Sequence, residues 1–246
     1  MAPPPEVVSK TPVLLPPHFF ILMQETQAPQ LIRSGPEWHE AGLAYRYEMP
    51  NGPGPYPTAV MIHGRRGDED VMWVFRKAVP RPWLVVAPRA PFADHDLYSW
   101  HIQPQGEWSG IDAFQPAIDA LTRFLHALPR LYNADPDRTY LMGFSQGAAT
   151  SIATALRRPE LVRGIAALVG FAPDGPDELV AGRLSGLPVF MATGTEDPTV
   201  PLDVSRRAAD LLRRTGAALE HHEYEIGHKL SAAGLADLQA WFQARN

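Results

Sequence analysis

Cysteine is absent from the 246-residue chain, which excludes disulfides, thiolate nucleophiles and cysteine-ligated metal sites. An excess of positive charge is also missing. The formal net charge is −5 and no basic stripe with interleaved aromatics occurs, so nothing points to a nucleic-acid partner. Long apolar runs are lacking as well. The longest near the start, residues 19–23, falls far short of the roughly 20 residues a spanning helix needs. The N-terminal stretch has neither the basic n-region nor the apolar h-region of a signal peptide. No integral membrane association is therefore expected, and the expected location is cytoplasmic. What remains is an ordinary globular composition, 45 % hydrophobic and 20 % charged, at a length that suits one α/β domain.

Proline is plentiful at the start. Pro3-Pro4-Pro5, Pro12, Pro16-Pro17, Pro29 and Pro36 break helices and disfavour central strands. Residues 1–36 are expected to form an irregular or extended arm, with 19–23 available as a short edge strand. Residues 37–246 are expected to form the main domain. There the pattern alternates. Strands are predicted over 43–47, 59–62, 84–87, 138–143, 164–169, 187–192 and 219–224, those at 59–62 and 84–87 with the continuous apolar runs expected of strands buried on both faces. Helices are predicted over 68–79, 110–128, 146–157, 203–214 and 231–242. The helix at 110–128 follows from Ile111, Phe114, Ile118, Leu121 and Leu125 at steps of three and four, with Pro129 just past its end. Asp203 is a plausible N-cap. Alternating strands and helices imply an α/β fold with a mostly parallel sheet and helices on both faces. Its site should lie beyond the carboxyl ends of strands.

Gly143-Phe144-Ser145-Gln146-Gly147 is G-x-S-x-G, following a predicted strand and opening a predicted helix. Glycines suit a bend too tight for side chains, and the bend lifts the Ser145 hydroxyl to a helix N-terminus that favours developing negative charge. A serine nucleophile needs a base, and the base an orienting acid. The order Ser, acid, His is met by Asp197, in Gly194-Thr195-Glu196-Asp197-Pro198, and by His228, in Gly227-His228. Both follow predicted strands. Glu196 is the rival acid. His221 and His222 are rival bases, but inside a strand they point to opposite faces, and no carboxylate spacing supports a metal site from this pair. An oxyanion needs two N–H donors. The backbone N–H of Gln146 is one and that of Arg65, in the loop His63-Gly64-Arg65-Arg66-Gly67-Asp68-Glu69, is the other. His63 is expected to hold that loop by hydrogen bonds.

Together these residues resemble the phospholipase/carboxylesterase family of small α/β-hydrolases. The likeness rests on His63-Gly64 with Gly67-Asp68-Glu69, on Ala87-Pro88-Arg89-Ala90-Pro91 with Ser99-Trp100, and on the nucleophile block. It runs from about residue 42 to the C-terminus. The resemblance implies an α/β-hydrolase fold with little or no lid, and a cofactor-free serine esterase acting on small-molecule acyl esters, thioesters among them. It also implies an oxyanion hole from Arg65 and Gln146, and Ser99 and Trp100 near the acyl pocket. Where family members carry small or apolar residues, this chain has Arg65-Arg66. Arg66 therefore joins Ser99 and Trp100 as a substrate-binding candidate, since guanidinium binds carboxylate or phosphate bidentately. A peptidase or lactonase on the same three residues, and a non-catalytic ligand receptor, are the alternatives. A dienelactone-hydrolase type fits less well, because its nucleophile is usually cysteine. The sequence leaves a homodimer open.

Overall fold

The chain is described here by a computed structural model over residues 28–102, 108–175 and 177–246. The expected edge strand at 19–23 lies outside the described residues.

The strands are β1 (Gln30–Ile32), β2 (Tyr45–Glu48), β3 (Tyr56–Ile62), β4 (Leu84–Pro88), β5 (Phe92–Asp94), β6 (Leu97–Ser99), β7 (Ala134–Phe144), β8 (Gly164–Leu168), β9 (Pro188–Gly194) and β10 (Ala218–Tyr224). The α-helices are α1 (Gly35–Ala41), α2 (Gln115–Tyr132), α3 (Gln146–Arg157), α4 (Asp177–Val180), α5 (Leu202–Arg214) and α6 (Ala232–Gln243). Eight strands form one sheet in the order β1-β2-β4-β3-β7-β8-β9-β10. From β4 to β10 every neighbouring pair is parallel, and β1 and β2 add an antiparallel flank. The chain leaves β3 for β4 on one side and later returns to β7 on the other. The strand order therefore reverses between β3 and β7, and the crevice beyond their carboxyl ends is where such sheets bind ligands.

Every residue of β3 is buried, which its continuous apolar run anticipates. Successive side chains enter different cores. Val60 and Ile62 pack with Phe124 and Leu128 of α2 and Ile152 and Leu156 of α3. Ala59 and Met61 pack on the other face with Trp83 and with Leu238, Trp241 and Phe242 of α6. The Ser231 hydroxyl caps α6, accepting from the Gly234 N–H at 2.9 Å.

Several expectations change. The sheet begins earlier than the prolines suggest, because β1 starts directly after Pro29 and α1 takes Pro36 into its first turn, where proline is tolerated. Residues 71–78 form a 3-10 helix rather than a longer helix over 68–79. A 3-10 turn at Ile111–Phe114 precedes α2, and α2 runs through Pro129 to Tyr132. Proline there forfeits one intrahelical hydrogen bond, but the last turn is held by buried Leu128 and by Tyr132, whose hydroxyl meets that of Tyr45 at 2.6 Å. Asp203 lies in the first turn of α5 behind Pro201 at the cap position, and pairs with Arg207 one turn on.

Phe242 is fully buried against Trp83 and Tyr140. Phe242→Ala is expected to lower the unfolding free energy by about 3–5 kcal/mol, read as a drop in the urea midpoint at an unchanged slope.

Candidate active site

The turn at the end of β7 is built from backbone crowding. A methyl group at Gly143 would overlap the Gly147 carbonyl, and one at Gly147 would overlap the Ile62 carbonyl at the end of β3. Strand and helix thus approach too closely for side chains at these positions. Ser145 between them sits at φ 54°, ψ −116°, a region costing a non-glycine residue roughly 1–3 kcal/mol. Its N–H donates to the Leu168 carbonyl at 2.9 Å, which ties the turn to β8. The Gln146 N–H, first in α3, has no acceptor among the described residues, so it stays open at the positive end of the helix dipole.

Asp197 and His228 follow β9 and β10, adjacent parallel strands. His228 Nδ1 lies 2.7 Å from Asp197 Oδ2. The other carboxylate oxygen, Oδ1, accepts the N–H groups of Thr199 at 2.7 Å and Val200 at 3.0 Å. Both oxygens are engaged, the carboxylate is 1 % exposed, and only the imidazole edge at Nδ1 can meet it. Glu196 is exposed, so Asp197 is the acid that reaches the imidazole. His221 and His222 lie within β10; His221 Nε2 faces the Thr193 hydroxyl at 3.0 Å. The His228 ring stands edge-on to Phe144 at 5.1 Å between centroids, beside the Ser145 turn. No hydrogen bond joins the Ser145 hydroxyl to His228 among the described residues, which is common in unliganded sites where catalytic contacts tighten on substrate binding.

The loop after β3 is held from every side. His63 is fully buried. Its Nε2 accepts the Ala90 N–H at 3.0 Å and its Nδ1 faces the Gly64 carbonyl at 2.7 Å, so the neutral ring carries its proton on Nδ1. Burial pushes this imidazole down to about 4. It anchors the loop, as expected. Glu69, also fully buried, receives Arg89 through two bonds of 2.6 Å and Arg33 at 2.7 Å. Against the burial that would raise it, those guanidiniums hold the carboxyl down at about 2. The Arg65 N–H has no acceptor among the described residues.

Two of the three substrate-binding candidates, Ser99 and Trp100, are placed differently from expectation. Ser99 and Trp100 are fully buried. The Ser99 hydroxyl donates to Asp94 at 2.7 Å and accepts the Arg66 N–H at 3.1 Å. Trp100 gives its indole N–H to the His63 carbonyl at 2.9 Å and its backbone N–H to the Gln146 side chain at 2.8 Å. Neither has surface left to offer a ligand; both brace the loop and the turn. Arg66, at φ 54°, is exposed, but it and Arg65 both pair with Asp94, at 3.2 and 3.5 Å. The Ser99 hydroxyl, and after it these guanidiniums, keeps Asp94 below the usual carboxylate range.

A cavity of about 540 Å³ adjoins the turn. Gly64 and Arg65 of the loop, Phe144 before Ser145 and Lys229 after His228 contribute to its wall, with Met72 and Phe75 of the 3-10 helix and Leu230 as apolar floor. Phe75 stacks on Phe144. Sequence reasoning missed this groove. Hydrophobic residues on a short 3-10 helix carry no period that separates core from cavity wall. The available signal for the Glu69–Arg89 clamp was opposite charge in two of the motif blocks.

The sheet, with the Ser145 turn at the strand-order reversal and a histidine and an aspartate after the last two strands, defines an α/β-hydrolase fold. The chain belongs to the Phospholipase/Carboxylesterase family, whose sequence profile matches residues 60–246. Acyl-protein thioesterase 1 of Debaryomyces hansenii is 30 % identical over 131 residues, 52 % of this chain and 56 % of that one; the chain thus spans about half the length of that relative. Acyl-protein thioesterase 1 of Candida albicans is 28 % identical over 219 residues, 76 % of this chain and 91 % of that one. A solved carboxylesterase from Mesorhizobium loti has TM-score 0.75 at 19 % identity, covering 87 % of this chain and 98 % of that one, a likeness of fold. No described helix is long and apolar enough to cross a membrane.

The depressed His63 imidazole has a consequence for stability. In the unfolded chain it takes up a proton near pH 6.5, but in the fold only near 4. The unfolded state therefore binds more protons in between, so this contribution is whole above pH 6.5 and is lost as pH falls towards 4. Its share between pH 6.5 and 4.5 is about 2 kcal/mol. Urea titrations across that window should show the decline, and a folded His63→Asn variant should show a flatter one.

Proposed function

We propose that the chain is a serine carboxylesterase that cleaves small or medium acyl esters through an acyl-enzyme. The single observation that carries this reading is the 2.7 Å contact between His228 and Asp197, beside a serine held at a strained strand-to-helix turn. In this reading Ser145 Oγ attacks the ester carbonyl while His228 Nε2 takes the hydroxyl proton. Asp197 holds the proton of Nδ1 and stabilises the imidazolium. The tetrahedral oxyanion receives the N–H groups of Arg65 and Gln146, both without an acceptor of their own. Collapse expels the alkoxide, which takes the proton from Nε2. Water, deprotonated by the same nitrogen, then attacks the acyl-enzyme, releases the acid and restores the serine.

No metal or organic cofactor enters any step. Ser99 and Trp100 act as positioning residues, holding the loop and the Gln146 side chain. Thioesters fit the same chemistry, and the two yeast relatives bear thioesterase names.

Ser145→Ala is expected to lower kcat by roughly 10⁴-fold or more with the fold intact, measured on p-nitrophenyl acetate or butyrate with circular dichroism as control. Asp197→Asn should cost a similar factor by releasing the imidazole from its tautomer. A fluorophosphonate probe should label Ser145 in the wild type. Persistent absence of labelling together with absence of turnover would replace the esterase by a ligand receptor of the same fold.

A further inference from the structure

The chain contains 22 Lys and Arg residues, of which three are lysines, Lys10, Lys77 and Lys229. Every described arginine has a carboxylate or a backbone carbonyl as partner. Among the described residues, Lys77 and Lys229 have neither. The two unpaired cationic side chains among the described lysines and arginines thus come from separate parts of the chain, one on the 3-10 helix and one directly after His228, and both line the groove beside the nucleophile turn. Arg65 and Arg66 line it too, with Asp94 shared between them. Among the described residues, no Asp or Glu contributes to the wall. Asp68 is turned to the backbone, accepting the N–H groups of Asp70 and Val71 at the start of the 3-10 helix, and Glu69 is fully engaged by Arg33 and Arg89.

An apolar floor under an uncompensated cationic rim, in a protein of net charge −5, is complementary to a ligand that is apolar along its length and negative at one end. We propose that the groove takes an acyl chain ending in an anionic group, and that Lys77 and Lys229 are the residues that select it. The inference rests on the esterase reading and deepens it. Phe144, Phe75, Met72 and Leu230 hold the methylenes. The ammonium groups, hydrated point charges on flexible stems, meet the terminal anion. A cavity of about 540 Å³ falls within the size range of small-ligand sites. The selection is electrostatic and partly exposed, so it weakens as salt rises.

The test compares kcat/KM for the p-nitrophenyl monoesters of adipic and suberic acids with that for the same compounds capped as ω-methyl esters. Measurements are made at about 20 mM and about 500 mM salt, for the wild type and for K77Q/K229Q. The expected result is a preference for the carboxylate-ended ester of roughly tenfold at low salt. That preference should shrink at high salt and fall to about one in K77Q/K229Q, whatever happens to turnover of the capped ester. Turnover of capped esters with no preference for the anionic ones overturns this proposal and leaves the esterase intact. A preference that survives K77Q/K229Q also overturns it. So does stimulation of capped-ester turnover by phosphatidylglycerol vesicles that depends on both lysines without any preference in solution; this would assign them to a lipid surface. Failure of both esters, with no fluorophosphonate labelling of Ser145, removes the esterase reading and this proposal together.

Discussion

Ser145 is held at a backbone angle that its side chain disfavours, because β7, α3 and the end of β3 close in on it from three directions. The parallel pairing of β3 with β7 brings the Ile62 carbonyl against Gly147, and the N–H of Ser145 is taken by β8. A relaxed conformation would require separating central strands of the sheet. The local strain is therefore maintained by the cooperative stability of the domain. The same crowding leaves the hydroxyl at the mouth of a helix with an open N–H beside it. Other features of the site, from the loop after β3 to the aspartate and histidine after β9 and β10, take their meaning from where that hydroxyl points.

Around this turn, rigid and open parts are divided. The loop carrying Arg65 is tied by His63 to Ala90 and to the Trp100 indole, by Glu69 to Arg89 and Arg33, and by Arg66 to Ser99, and Trp100 in turn is joined to Gln146. These contacts join segments far apart in sequence, and most are buried. Electrostatic stabilisation of an oxyanion depends on donors that do not reorganise during reaction, and such a network supplies that rigidity. The groove side is different. The 3-10 helix that forms it exposes Val71 and Val74, and its lysine has no anchor.

The parts of the fold that were legible in the sequence are those governed by local geometry. G-x-S-x-G specifies a backbone bend, so the turn, the start of α3 at Gln146 and its end at Arg157 could all be read directly. Asp197 and His228 were legible by chain order and by their position just past predicted strands, and the choice of Asp197 over Glu196 agrees with which carboxylate reaches the imidazole. Features set by tertiary contact were not legible. The hairpin β5–β6 has three-residue strands and no periodic pattern, yet it supplies Asp94 and Ser99. Pro129 reads as a stop, but buried Leu128 and Tyr132 carry the helix past it. Ser99 and Trp100 resemble pocket residues in sequence, and only their packing reveals that their polar atoms are already spent on the loop. The pairing of Arg65 and Arg66 depends on an acid about thirty residues away.

Helix α3 is buried along nearly its whole length, from Gln146 to Leu156. It is composed of glycine, alanine, serine and threonine with few larger side chains, and the hydroxyls of Thr150, Ser151 and Thr154 turn back to carbonyls one turn earlier. With neighbours on all sides, it leaves little room for substitution. Packing therefore leaves little freedom for substitution around Ser145 and much more along the 3-10 helix and the residues after His228. The rim of the groove can thus be redrawn one side chain at a time while the crowded seam beneath it keeps its shape.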